Sequence, residues 1–397
     1  MPTKRENPLT LGQLVEIEAD CVSDDVRPWG MVTESATAIW TDSDAEIGVE
    51  RLRSHPGAYR LVTAGMPHFG LPVLETLNGE ARVRSLSERL AAAELRDRGD
   101  VVEHRELRRP IAETQPFRPE GMPRGLHPAT LPAHAEERFG ISARGRRTLL
   151  SDTHSTIING ESRSLVYPSV YPFTAICKLY ISHQPSPGAA WVNDSEATGY
   201  LIGRSTLMTS GHVKPGDGVA WQIKVVPACW KGVSVFGAGM VTYVRSSWGW
   251  HSDSGNDIRI CELYDPIGDA LGYFGFKGYD SDWEDGAYWS MAGYPYDISL
   301  TSMSWETGIH VRDDDDGDDI SVDGDDYDTT QVESDADEAS GASGAPLWGW
   351  WTKGPYAIGV HHGVERDWTI SGTETLSCAA GGDGFVAAAH WGRSMWG

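Results

Sequence analysis

Residues 201–213 read LIGRSTLMTSGHV. An apolar run carrying Leu207 and Met208 gives way within a few residues to Thr209, Ser210, Gly211 and His212. Its composition is that of a short strand, and Ser-Gly is turn chemistry that ends it. A buried strand that delivers a histidine to its rim raises two questions about the rest of the chain. One is whether it builds a β scaffold; the other is whether it supplies partners for an imidazole.

Working outward, β-rich runs recur after residue 160, separated by Gly, Pro, Asp and Ser: FTAICKLYI (173–181), VAWQIKVVPACW (219–230), DIRICEL (257–263), AYWSMAGYP (287–295) and YAIGVHHG (356–363). Many short strands without intervening helices predict an all-β sandwich or a pair of barrels. The last stretch, FVAAAHWGRSMW (385–396), places Phe385, Ala388, Ala389, Gly392 and Met395 on one helical face, and predicts a terminal helix against the β core. Before residue 150 the chain is Arg-rich and mixed, with a helical pattern at 85–98, SLSERLAAAELRDR. Residues 110–147 are rich in Pro and Arg and read as a linker, in which Arg144, Arg146 and Arg147 would be open to cleavage if exposed. The division expected is therefore 1–150, a pro-region or regulatory domain, and 151–397, a β-rich domain.

The 397 residues carry a net charge of −24, unevenly placed. Residues 1–150 hold 20 basic and 23 acidic side chains, and residues 151–397 hold 13 and 34. An acidic surface of that kind disfavours phosphate backbones, so nucleic acid is not an expected partner. No run has the length needed to span a bilayer, so membrane insertion is not expected either. The first thirty residues lack the apolar stretch of a secretory signal; either export by that route does not occur, or a leader is missing. Of the five cysteines none forms a CxxC pair. Cys177, Cys229, Cys261 and Cys378 form two disulfides or remain buried thiols, and Cys21 is left over in both cases.

Residues 313–338 hold 14 carboxylates and no basic side chain. EF-hand spacing fails there: the first ligand position counted from Gly317 is Arg312, and a middle one counted from Gly324 is Ser321. A solvated, mobile acidic loop is the expected form. A metal-binding structural protein resting on this loop is a third reading of the chain.

Nearer the C-terminus, EASGASGAPLW (338–348) contains Ser340-Gly341 and Ser343-Gly344. Acyl transfer needs backbone N–H groups aimed at a developing oxyanion. A glycine two residues before the nucleophile permits the turn that aims them, which fits Ser343 and not Ser340. A serine hydroxyl also needs a base, and the base needs a carboxylate to hold its tautomer. His212 is the candidate base. Asp257, heading a strand whose Ile258, Ile260 and Leu263 have the pattern of buried residues, is the candidate carboxylate, with Asp253 as a rival.

At these residues the chain resembles a family. ATGYLIGRSTLMTSGHV, NDIRICELYDPIG and GASGAPLW are similar to the segments that carry the histidine, aspartate and serine of trypsin-like (chymotrypsin-fold) serine proteases. AICKLYI, AGYPYD and YAIGVHHG resemble the bacterial glutamyl-endopeptidase-like branch. The chain order His, Asp, Ser agrees with that fold. The resemblance covers roughly residues 165–397. It implies two six-stranded antiparallel β-barrels with a C-terminal helix, preceded by a separate mixed region. It further implies peptide hydrolysis with His212 as base, Asp257 as its orienting carboxylate and Ser343 as nucleophile, the N–H groups of Gly341 and Ser343 forming the oxyanion hole. No metal or organic cofactor is implied; the partner is a protein or peptide substrate, and secretion is the implied location.

The departures are informative. Val213 and Ala342 stand where animal members carry a disulfide cysteine and an activation aspartate, so regulation by residues 1–150 is expected to work by covering the cleft. For specificity, His361 matches a histidine that holds a substrate carboxylate, but Glu338, preceded by Asp337, replaces a small hydroxyl residue. Two carboxylates in the primary pocket favour basic side chains, whereas the resemblance favours glutamate. His361 pairing with Glu338 is a further option. A catalytically inactive protease-fold binding or adaptor protein is the alternative function.

Overall fold

The computed structural model describes residues 155–397 apart from 253–254, 300 and 370–371, and, of the preceding chain, 6–10, 12–14, 16, 47–51, 59–63, 73–76, 94–97, 113–126 and 130–132. Six strands come first: β1 (Ile176–Gln184), β2 (Val192–Leu201), β3 (Thr206–Thr209), β4 (Ala220–Pro227), β5 (Thr242–Trp250) and β6 (Ile258–Leu263). They pair antiparallel in the order β4-β1-β2-β3-β6-β5, and a β4–β5 pairing closes the barrel. Leu179, Ile181, Leu207, Ile223, Val225, Ile258 and Ile260 fill it and are fully buried. Each such side chain contributes about 1.5–3 kcal/mol on burial.

The second unit holds β7 (Trp289–Gly293), β8 (Ser304–Ile309), β9 (Val311–Val322), β10 (Asp325–Ser334), β11 (Pro346–Trp351), β12 (Gly354–Thr369) and β13 (Gly372–Gly381). Their order is β9-β10-β13-β12-β11-β7-β8, continued by Ser164–Val166 and Thr130–Pro132. The mostly-β architecture expected from the sequence is present, with one closed six-stranded barrel. The strands of the second unit hydrogen-bond in one run, and no pairing among the described residues joins its ends to close the expected second barrel. A long hairpin, β9–β10, prolongs it at one end and the two outlying strands prolong it at the other. Trp283, Trp289, Trp351 and Tyr356 interlock in its core with ring centroids 5.4–6.1 Å apart. Such pairs add about 0.5–1.5 kcal/mol each to simple burial.

Helix α1 (Gly382–Trp396) packs on β10 of the sheet and on β6 of the barrel, tying the two units together. Phe385, Ala388, Ala389 and Gly392 are buried as the pattern predicts, but Met395 is 61% exposed, even though the Gly397 carbonyl beyond it accepts from Ser205 N–H of the barrel. The acidic segment differs from expectation. Asp313–Asp316 are not in a mobile loop but in β9, exposed yet laddered to β10 through Asp313↔Glu333 and Asp315↔Gln331. Buried Val311, Ile320 and Val322 anchor both ends of the strand, and pairing overrides the poor β propensity of aspartate.

The helix expected at 85–98 is replaced, where it is described, by a strand at Glu94–Asp97 that pairs parallel with Ser246–Gly249 of β5. Residues 85–93 and 98 lie outside the described residues, as do Arg144, Arg146, Arg147 and the boundary at 150. Part of the expected linker is docked. Phe117 exchanges backbone hydrogen bonds with Tyr273, and Gly125 N–H donates to the Tyr171 carbonyl. Leu9 N–H donates to the Trp350 carbonyl at 2.7 Å, so Leu9 also lies on the sheet unit. Cys177, Cys229, Cys261 and Cys378 are buried free thiols; Cys21 lies outside the described residues.

Candidate active site

The register of the barrel brings the first two site residues together. Thr209, the last residue of β3, lies opposite Arg259 in β6, so the chain leaving β3 and the chain entering β6 meet at one rim. His212 Nδ1 lies 2.6 Å from Asp257 Oδ2, and the His212 backbone N–H donates to Asp257 Oδ1 at 2.7 Å. Asp257 is 7% exposed, whereas the His212 side chain is 45% exposed. Burial alone would raise the Asp257 carboxyl, but the hydrogen bonds and charge of His212 outweigh it and hold the group below its ordinary value. Asp253, the rival carboxylate, lies outside the described residues.

Beneath this pair sits a residue that sequence reasoning missed. The Arg259 guanidinium is fully buried and donates to the Gly211 carbonyl at 3.1 and 2.9 Å and to Ser247 Oγ at 3.2 Å. It thereby fixes the peptide just before His212. An alternating strand reads arginine between two isoleucines as outward-facing. The one available signal is Gly249, directly across the ladder, where a Cβ would lie 2.7 Å from the guanidinium carbon.

Ser343 is carried by a turn between Glu338–Ala339 and β11. Gly341 has φ +98°, and a Cβ there would press on the Tyr294 carbonyl and the Tyr296 ring. Only glycine fits such a site. The carbonyls of Gly341 and Ser343 are both taken up by Thr198 of β2, through its hydroxyl at 2.8 Å and its N–H at 2.9 Å. Gly344, at φ +90°, packs against the Thr198 carbonyl and Thr209 Oγ1, three residues before His212. The His361 carbonyl accepts from Gly344 N–H at 2.7 Å and from Ser210 Oγ at 2.7 Å, lacing the serine turn to the histidine loop. The N–H groups of Gly341 and Ser343 have no acceptor among the described residues. Ser343 itself is partly exposed. The loop that carries His212 and the turn that carries Ser343 are thus joined through the single carbonyl of His361.

Of the three expected pocket residues, His361 and Glu338 stay together and Asp337 parts from them. His361, 1% exposed, has Nε2 3.4 Å from Glu338 Oε2 and Nδ1 3.3 Å from Ser377 Oγ. Asp337 does not join them. Its carboxylate accepts from Ile158 N–H at 2.6 Å and from Ser162 N–H and Oγ at 3.0 and 3.1 Å, so it anchors the incoming chain.

Glu306 completes that anchor, accepting from Ser162 Oγ at 2.5 Å and from Asp337 N–H at 2.8 Å. With Asp337 it lines a small cavity under the Ser343 turn, facing Ala342 and Ala345. Burial pushes the Glu306 carboxyl up to about 7, the Ser162 bond offsetting part of this and the Asp337 charge adding to it. A carboxyl raised on folding stabilises the fold most below its unfolded value, and that contribution is lost as pH rises through about 7. Glu306→Gln, which retains an acceptor for Asp337 N–H, is expected to flatten this loss. Thermal melting of both proteins from pH 4 to 8 checks it, the difference amounting to about 3 kcal/mol.

No family model matches the chain. Among curated proteins the chain is similar to an extracellular metalloprotease of Bacillus subtilis (strain 168), 23% identical over 163 residues, 40% of this chain and 50% of that protein. The chain therefore spans about half the length of the curated relative it matches. Among solved structures it is similar to a Glu endopeptidase in complex with MPD, at TM-score 0.44 and 18% identity, covering 60% of this chain and 100% of that one. It is also similar to a protease from M. tuberculosis in its active form, at TM-score 0.34 and 18% identity over 55% and 81% of the two chains. A thermostable serine protease from an extremophilic microorganism gives TM-score 0.36 and 16% identity over 56% and 97%.

Proposed function

We propose that this protein is a serine endopeptidase. The observation that carries the reading is the Asp257–His212 pair beside a Ser343 turn with two amides left unspent. In this mechanism His212 Nε2 takes the Ser343 proton as Oγ attacks a peptide carbonyl, and the carbonyl oxygen becomes an anion facing the N–H groups of Gly341 and Ser343. Collapse breaks the C–N bond, and His212 returns the proton to the departing amine. Water, deprotonated by the same imidazole, then releases the acyl group from Ser343. Asp257 keeps the proton on Nδ1 and stabilises the imidazolium. A fluorophosphonate probe should label the protein and not its Ser343→Ala variant. Absence of labelling, with residues before 155 removed as well, would favour the inactive binding module.

The side chain accepted beside the cut follows from charge. Glu338, five residues before Ser343 and 8% exposed, lies 3.4 Å from a His361 that is buried and shared with Ser377. A carboxylate at that position favours Lys or Arg over Glu. Matched peptides differing only there should be cut faster with Lys, and Glu338→Gln should erase the preference. Preferential cutting after Glu would overturn the pocket reading while leaving the serine chemistry in place.

The N-terminal region is proposed to regulate this site. Ser155–Thr156 pairs with Glu338–Ala339, so the chain arrives alongside the residues that lead to the Ser343 turn.

A further inference from the structure

Away from Ser343, β10, β13 and β12 present Glu333, Cys378 and Glu365 to one another. A carboxylate oxygen of each glutamate and the Cys378 Sγ all lie within 4.8 Å. Glu333 is 2% and Cys378 1% exposed. The ladder explains the convergence, because Glu333 pairs with Cys378 and, one strand over, Glu365 follows Gly363, the partner of Cys378, by two residues. All three therefore stand on the same face of the sheet.

A fourth side chain lies across them. Gln331, 3% exposed, sits two residues before Glu333 on that face. Its Nε2 donates to Glu333 Oε1 at 2.6 Å and to Glu365 Oε2, and its Oε1 is buried with no hydrogen-bond partner among the described residues. An unpaired buried amide oxygen costs about 1–3 kcal/mol. Two carboxylates and a thiol held together in the interior also repel one another as soon as more than one is ionised. A divalent cation relieves both problems. It neutralises the two glutamates, and rotation of the Gln331 amide turns the stranded oxygen toward the metal as a fourth donor.

We propose that Glu333, Glu365, Cys378 and Gln331 form a binding site for a divalent cation of the zinc class. The donor set selects the metal. A sulfur ligand with three oxygens suits Zn2+ or Cd2+, while Ca2+ and Mg2+ take oxygen shells without sulfur. Binding replaces the Cys378 S–H bond with a metal–sulfur bond and releases that proton to solvent. The ion would cross-link three adjacent strands next to Ser377 and Ala379, which flank His361 across the ladder and by hydrogen bond. Its role is therefore to stiffen that wall. The site is independent of the Ser343 chemistry.

The test uses the full chain with His212→Ala, so that the exposed imidazole does not compete for metal. Titration with Cd2+ should produce the ultraviolet thiolate-to-metal charge-transfer band at one ion per chain, and Cys378→Ser should abolish it although the other cysteines remain. Zn2+ should bind in calorimetry with the same stoichiometry and raise the melting temperature, with affinity falling at least 100-fold in Glu333→Gln/Glu365→Gln. Absence of the band together with no melting shift from Zn2+ would overturn the proposal. So would a band that persists in Cys378→Ser, or a Ca2+ shift as large as that of Zn2+ and insensitive to Cys378→Ser.

Discussion

Replacing His212 with alanine is expected to lower kcat toward a peptide substrate by roughly a millionfold, with little change in melting temperature. The magnitude follows from the proposed mechanism, in which triad members act as a unit and a serine without its base is hardly more nucleophilic than water. The unchanged stability follows from exposure, because the imidazole is 45% accessible and leaves no buried void. Its backbone N–H keeps its bond to Asp257, so the loop stays in place. Initial rates from a fluorogenic peptide, beside a melting curve, check both halves. Residual activity from the amides of Gly341 and Ser343 should remain above that of water.

Asp257→Asn is expected to cost roughly ten-thousandfold in kcat. The asparagine oxygen can still accept from the His212 backbone N–H, so the geometry survives. The group now facing Nδ1 is then an amide NH2, a donor, which forces Nδ1 to accept and moves the ring proton to Nε2. That nitrogen can no longer take a proton from Ser343. The carboxyl also titrates below its ordinary value in the fold, so its stabilising contribution is present at neutral pH and lost as acid passes through that lowered value. The asparagine variant should lose this acid limb in a pH–melting series, and Asp257→Glu should retain it.

The parts of the site that could be read from sequence are those where one local requirement selects the residue. Gly341 had to precede Ser343 by two residues to take up positive φ, and it does. Asp257 had to head an apolar strand, and Ile258–Leu263 is that strand. What stayed hidden depends on contacts between distant segments. Arg259 reads as a surface residue until the Gly211 carbonyl and Gly249 are seen on either side of it. Asp337 reads as a pocket carboxylate until the chain at 158–162 arrives to claim it. Four consecutive aspartates suggest a loop until β10 supplies their ladder. The 85–98 pattern has helical spacing, yet the free edge of β5 recruits Glu94–Asp97 as a strand. In each case tertiary pairing outweighs local propensity.

The carbonyl of His361 grips both the Gly344 amide and the Ser210 hydroxyl, while its imidazole faces the proposed pocket. In the proposed enzyme, selectivity and turnover would thus share one peptide unit and would not be free to drift apart. Redesign that swaps side chains at 338 or 377 leaves the grip untouched. Lengthening or shortening the chain around the irregularity at 361–363 would loosen the nucleophile before it altered preference. An engineer retuning this molecule should therefore substitute and never splice there.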